Sequence, residues 1–135
     1  MIADLDIFNP NNWDALRHAH ECRIYLDDNA TNYVILDEVD YLWAIQWRWN
    51  LLRYHSGGRA EKWYARRAIS LYNDGVRCGT QTVLLHIEIM KRTGIEPPTP
   101  AHTLVDHLND KSLDCRRVNL QWATHAMNNR RKRRA

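Results

Sequence analysis

Side chains suited to chemistry gather near the end of the chain. In Val105-Asp106-His107-Leu108 a carboxylate stands directly beside an imidazole, Asn119 follows twelve residues later, and Asn128 nine beyond that. An imidazole titrates close to neutrality, so it suits proton transfer at physiological pH. Carboxylate and amide oxygens suit a hard divalent cation. Successive residues of a strand face opposite sides, so Asp106 and His107 serve one centre only if the strand ends or bends there. A polar loop starts at Leu108, which meets that condition. Taken alone, the pair reads first as a hydrogen-bonded structural couple at a strand end.

The surrounding elements must place these groups. Thr103–His107 is a short β-prone run, 108–118 a polar loop and Asn119–Ala123 a second run. Thr124 suits the N-cap of a terminal helix that carries Asn128 and Asn129. The order is strand, loop, strand, helix. Upstream, Cys22–Leu26 and Asn32–Leu36 flank a turn-rich Asp27-Asp28-Asn29. Asp37 is placed to cap a helix over 38–46, with Val39, Leu42, Trp43 and Gln46 at helical spacing. A meander follows, with strands at Trp47–Tyr54, Lys62–Ile69 and Gln81–Leu85. Its turns fall at 55–59 and at Asn73-Asp74-Gly75. A helix is expected over Leu84–Arg92, stopped by Gly94 and the cluster Pro97, Pro98, Pro100. Residues 1–22 are polar and irregular, an amino-terminal extension with a short helix near Trp13–His20.

Val105-Asp106-His107, then Leu113-Asp114-Cys115-Arg116-Arg117-Val118-Asn119-Leu120-Gln121-Trp122-Ala123-Thr124, then Asn128-Asn129 resembles the HNH endonuclease motif. In style it is similar to the phage and intron-encoded homing endonucleases with a ββα-metal, or His-Me finger, core. The stretch from Ile35 to Trp49, the run Trp63-Tyr64-Ala65-Arg66 and the run Leu85–Met90 resemble the segment that precedes the motif in those proteins. The resemblance spans about residues 34–130.

That resemblance implies roles. His107 matches the general base that activates water against a phosphodiester. Asp106 matches a metal ligand, and Asn128 the second protein ligand, for Mg²⁺ or Mn²⁺. Asn119 matches the middle Asn that ties down the loop. His86 matches a histidine of the upstream helix, and reads either as a support beside the metal site or as a buried structural residue. Two positions depart from the pattern: Asn109-Asp110-Lys111 stands where family loops often carry Gly, and Cys115 where Asn is common. Asn and Asp tolerate left-handed backbone better than most residues, so the turn can persist.

Charge supports an anionic partner. The net +3 conceals a split: residues 1–40 hold nine acids and two bases, whereas 41–135 hold seventeen bases and seven acids. Such asymmetry favours a nucleic acid as partner of the basic part. Arg130, Arg131, Lys132, Arg133 and Arg134 read as phosphate contacts, as do Arg116 and Arg117. Arg66 and Arg67 sit on a meander strand where basic side chains lie against a DNA groove. The acidic first forty residues are expected to face away from DNA. Other classes drop out. Apolar runs such as Tyr41–Ile45 fall far short of the ~20 residues of a membrane span. The amino terminus lacks the basic and apolar regions of a signal peptide. Three well-separated cysteines without a CxxC fit a reduced, cytoplasmic compartment. His18, His20 and Cys22 offer only a weak zinc pattern.

The expectation is therefore an α+β protein. Residues 1–22 form an extension, 23–100 a β-meander with short helices, and 101–135 a ββα-metal module with a basic terminal helix. It would cleave double-stranded DNA, as a monomer that nicks or a homodimer that cuts both strands. The alternatives are an inactive DNA-binding module of the same fold, or a ribonuclease.

Overall fold

The structure, a computed structural model, describes residues 22–54 and 61–134, without the side chains of 130–134. The expected amino-terminal helix, the turn at 55–59, His18, His20 and the side chains of Arg130–Arg134 lie outside the described residues. The chain is α+β; the described residues form three small antiparallel sheets and three short helices.

Strands β1 (Cys22–Tyr25) and β2 (Tyr33–Leu36) form the first hairpin. Its loop closes on Asp27, whose carboxylate accepts from the Thr31 amide at 2.8 Å and the Asn32 amide at 3.0 Å. Helix α1 (Glu38–Ala44) follows at once. Asp37 occupies the N-cap position but does not cap with its side chain. Its Oδ2 instead accepts from the Arg117 amide at 2.9 Å.

The central sheet is the meander β3 (Asn50–Tyr54), β4 (Lys62–Asn73), β5 (Val76–Leu84). The first strand begins three residues later than the β-prone run Trp47–Tyr54 suggests. Trp47 and Trp49 are taken up in a cluster with Trp43, at centroid separations of 5.2 Å for 43–47 and 6.5 Å for 47–49. The Trp49 indole N–H donates to the Ala44 carbonyl at 2.9 Å, which pins the corner after α1. The second hairpin is longer than expected on both sides. Asp74 and Gly75 both take positive φ, +50° and +79°. Two such residues twist in the same sense as the strands, so pairing continues to Asn73–Val76 with a bulge near Leu71 and Tyr72.

Helix α2 (Leu85–Arg92) leaves β5 directly and ends at Thr93, with Gly94 beyond it at φ +75°. Buried Leu85, Ile89 and Met90 form its inner face. The proline connector is docked by Trp122, whose N–H donates to the Ile95 carbonyl at 2.7 Å. Strands β6 (Leu104–His107) and β7 (Leu120–Ala123) pair antiparallel, separated by a loop with one 3₁₀ turn at Arg117–Asn119. Helix α3 (His125–Arg134) completes the strand–loop–strand–helix order. Thr124 caps it as expected: its Oγ1 accepts from the Met127 amide at 3.1 Å. No described helix is long and apolar enough to cross a membrane.

One core joins these parts. Val34, Leu36, Ala44, Trp49, Ala65, Leu85, Ile89, Cys115 and Leu120 are buried together. Inside it lies a charge. Asp40, at 0% exposure, accepts from Arg117 Nε at 2.9 Å and Nη2 at 2.8 Å, and from Arg92 Nε at 3.1 Å. Thus two acids of the amino-terminal third, Asp37 and Asp40, are bonded to Arg92 and Arg117 of the basic part. Removing one partner of a buried pair strands the others. Asp40→Ala is expected to cost about 3 kcal/mol, near the low end for such pairs because both arginines still reach water; urea unfolding at neutral pH measures it.

Candidate functional site

β6 ends at His107, which is 6% exposed. The chain turns there: the Asp110 amide donates back to the His107 carbonyl at 2.9 Å, and Asp110 takes φ +61°. The left-handed residue that the family pattern supplies with Gly is here an Asp, as the Asn-Asp pair allows. The strand therefore ends at His107, and Tyr64 of β4 lies beside it. Its ring lies 6.2 Å from the His107 ring. Its hydroxyl is held above the usual phenol range by burial first, then by the charges of Asp106 and Tyr54.

The 108–118 loop is bonded along its length. Asn119 spans it: Oδ1 accepts from the Asn109 amide and Nδ2 donates to the Asp114 carbonyl, both at 2.9 Å. The Leu108 amide donates to the Asn119 carbonyl at 2.8 Å. Asp114 accepts from Asn109 Nδ2 at 2.9 Å and from Arg116 Nε and Nη2 at 2.8 and 2.7 Å. Burial pushes the Asp114 carboxyl up, but the Arg116 and Asn109 hydrogen bonds outweigh it and hold the carboxyl below its ordinary range. The loop also leans on β2: Ile35 donates to the Leu113 carbonyl at 2.9 Å, and the Cys115 amide to the Ile35 carbonyl at 2.8 Å. Cys115, where the family favours Asn, is a buried core thiol pushed up by desolvation.

A cleft of about 210 Å³ opens beside His107. Glu61, Lys62, Tyr64, Asp110 and Ser112 line it with His107. Ser112 also donates to the Trp63 carbonyl, joining loop to sheet. Behind the cleft, His86 is 5% exposed at the start of α2. Its ring lies 4.8 Å from His107 and stacks on Tyr64 at 5.1 Å. Desolvation, then the charge of His107, pushes its pKa down to about 3.

The other expected residues divide. Asn128 sits in the first turn of α3, partly buried, its amide bonded to the Thr124 carbonyl at 3.1 Å. Alternation along β4 puts Lys62, Tyr64 and Arg66 on one face, that of the cleft, and Trp63, Ala65 and Arg67 on the other. Arg67 lies over the Trp47 ring at 4.2 Å and Trp49 at 5.6 Å, so it belongs to the tryptophan cluster and away from the cleft. Arg116 and Arg117 are likewise engaged inside the chain, by Asp114 and Asp40. Their guanidinium groups hold the loop from within, while each side chain keeps part of its surface exposed. Lys62 and Tyr64 join the site more closely than the sequence suggests; their period-two spacing with Arg66 is the signal that marks them.

Oxygen donors are present for a hard cation. Asp106 and Asn128 each carry a side-chain oxygen and are partly buried, and among the described residues no group of three or more His, Cys, Asp or Glu gathers where it could hold a metal ion. Comparison with protein-family models, with curated proteins and with solved structures finds no match to this chain.

The low pKa of His86 sets a pH dependence. Unfolded, the group takes a proton near ~6.5; folded, only near about 3. The unfolded chain binds more protons between those values, so stability is full above ~6.5 and declines as pH falls toward about 3. His86→Phe is expected to remove a slope of up to ~1.4 kcal/mol per pH unit. Urea unfolding at about pH 7 and about pH 5 reads it; equal slopes in parent and variant would mean that His86 titrates normally.

Proposed function

We propose that the chain is a metal-dependent endonuclease of the HNH type that hydrolyses phosphodiester bonds in double-stranded DNA. The observation that carries this reading is the setting of His107. It stands at the end of a strand in a strand–loop–strand–helix unit and opens on a cleft. Asn119 bonds the loop beneath it, as the motif requires. Asp106 and Asn128 occupy the motif's ligand positions.

In this mechanism His107 takes a proton from water as the water attacks phosphorus. General-base help of this kind is worth ~10²–10⁴-fold. Asp106 and Asn128 offer one oxygen each to Mg²⁺ or Mn²⁺. Such an ion, when bound, neutralises phosphate charge and stabilises the leaving oxygen. Lys62 in the cleft and Arg66 on the same sheet face draw the anionic backbone toward His107. The basic tract 130–134 continues α3 beyond Asn128 and extends phosphate contact along the duplex. Whether such a site nicks or cuts both strands depends on one copy or two acting together.

The direct test is nicking of supercoiled plasmid with Mg²⁺. Chelation of the metal is expected to abolish it. His107→Ala is expected to lose at least ~10²-fold in rate, and an unchanged rate would overturn the assignment. Asn128→Ala is expected to lose cleavage while its DNA affinity stays within about threefold, since phosphate contacts set affinity. Binding without metal-dependent cleavage on any DNA would favour an inactive module, and preferential cutting of RNA a ribonuclease.

A further inference from the structure

We infer that Tyr64 and His86 form a stacked aromatic wall that positions the His107 imidazole, with His86 a positioning residue rather than a base or metal ligand. This rests on the endonuclease reading for its activity arm alone.

Register explains the wall. Arg66 pairs with Leu84 across β4 and β5. Tyr64 lies two residues before Arg66 on the same face of β4, and His86 is the second residue of α2, just past the end of β5. Their rings stack with an interplanar angle of 22° at 5.1 Å. His107 enters from β6 and meets both, His86 at 4.8 Å and 48°, Tyr64 at 6.2 Å and 37°. A histidine at a strand end, beside a loop, would otherwise sample several rotamers. Two rings from two other elements remove that freedom.

The division of labour follows from access. Tyr64 and His107 line the cleft, whereas His86 stands behind them at 5% exposure. Burial and the neighbouring imidazole keep His86 neutral, with its pKa pushed down to about 3. It therefore presents an uncharged ring surface to His107 and does not compete for the proton.

The experiment pairs kinetics with a spectroscopic readout. His86→Ala is expected to lower kcat for plasmid nicking by ~10²-fold, the scale of a misplaced reacting group, with KM for DNA within about threefold. His86→Phe keeps a ring and is expected to recover to within about fivefold of the parent. Tyr64→Leu is expected to behave like His86→Ala. Carbon-13 relaxation of the His107 ring, without DNA or metal, is expected to show a single rigid ring in the parent and His86→Phe, and a mobile one in His86→Ala. Unchanged kcat in His86→Ala with a rigid His107 ring overturns the inference, as does a His86→Phe as impaired as His86→Ala. Should the parent cleave no DNA, the endonuclease reading fails, and the ring dynamics still decide the positioning role. Should His86→Ala unfold, the Phe and Leu variants carry the same comparison.

Discussion

Asp40 is a carboxylate with 0% exposure, gripped by two arginines from distant parts of the chain. It ties α1 to the end of α2 and to the 3₁₀ turn at Arg117–Asn119. Desolvating a carboxylate costs several kcal/mol, and only close, well-directed partners offset it. That cost makes the arrangement selective. Arg117 can satisfy Asp40 only if the 3₁₀ turn sits where it does, and Asp37 fixes the same residue through its backbone amide. Asn119, two residues on, is thereby delivered to the loop it bonds. The placement of His107 thus begins with an acid sixty-seven residues earlier in the chain.

The charge split changes meaning in this light. Part of the split is met inside the chain, where Asp37 and Asp40 of the acidic part bond to Arg92 and Arg117 of the basic part. Arg92, Arg116 and Arg117 are engaged by Asp40 and Asp114. On the cleft face of β4, Lys62 and Arg66 carry positive charge and form no ion pair with an acid among the described residues, so the basic character nearest His107 is local. A net charge counts these groups alike, whereas burial and pairing separate them.

Local patterns made much of the fold legible. Turn residues, β-branched runs and the Thr124 cap located the elements of the last third closely, because hairpins and caps are set by near neighbours. Misreadings arose where distant partners decide. Trp47 and Trp49 have strand propensity, but packing on Trp43 bends the chain before Asn50. The β4–β5 arm was read short because Ser70, Gly79 and Thr80 resemble loop residues, and only the primed turn geometry at Asp74-Gly75 carries pairing through them. The internal partners of Arg67 and Arg117, the Trp47 ring and Asp40, are invisible in a sequence because they lie far along it. The ring contacts of Tyr64 and His86 depend on strand register, which no local pattern encodes.

The cluster around His107 draws one ring from the sheet, one from α2 and one from β6. Such a centre is indivisible. The terminal strand–loop–strand–helix unit looks portable, a cassette to be grafted or shuffled, yet its imidazole is braced by side chains that the cassette does not contain. A new host for this unit would have to supply its own ring at the position of Tyr64, its own at His86, and an edge like that of Ile35 to hold the loop. Modularity, for this chain, ends at the boundary its own packing draws, not at the one its motif suggests.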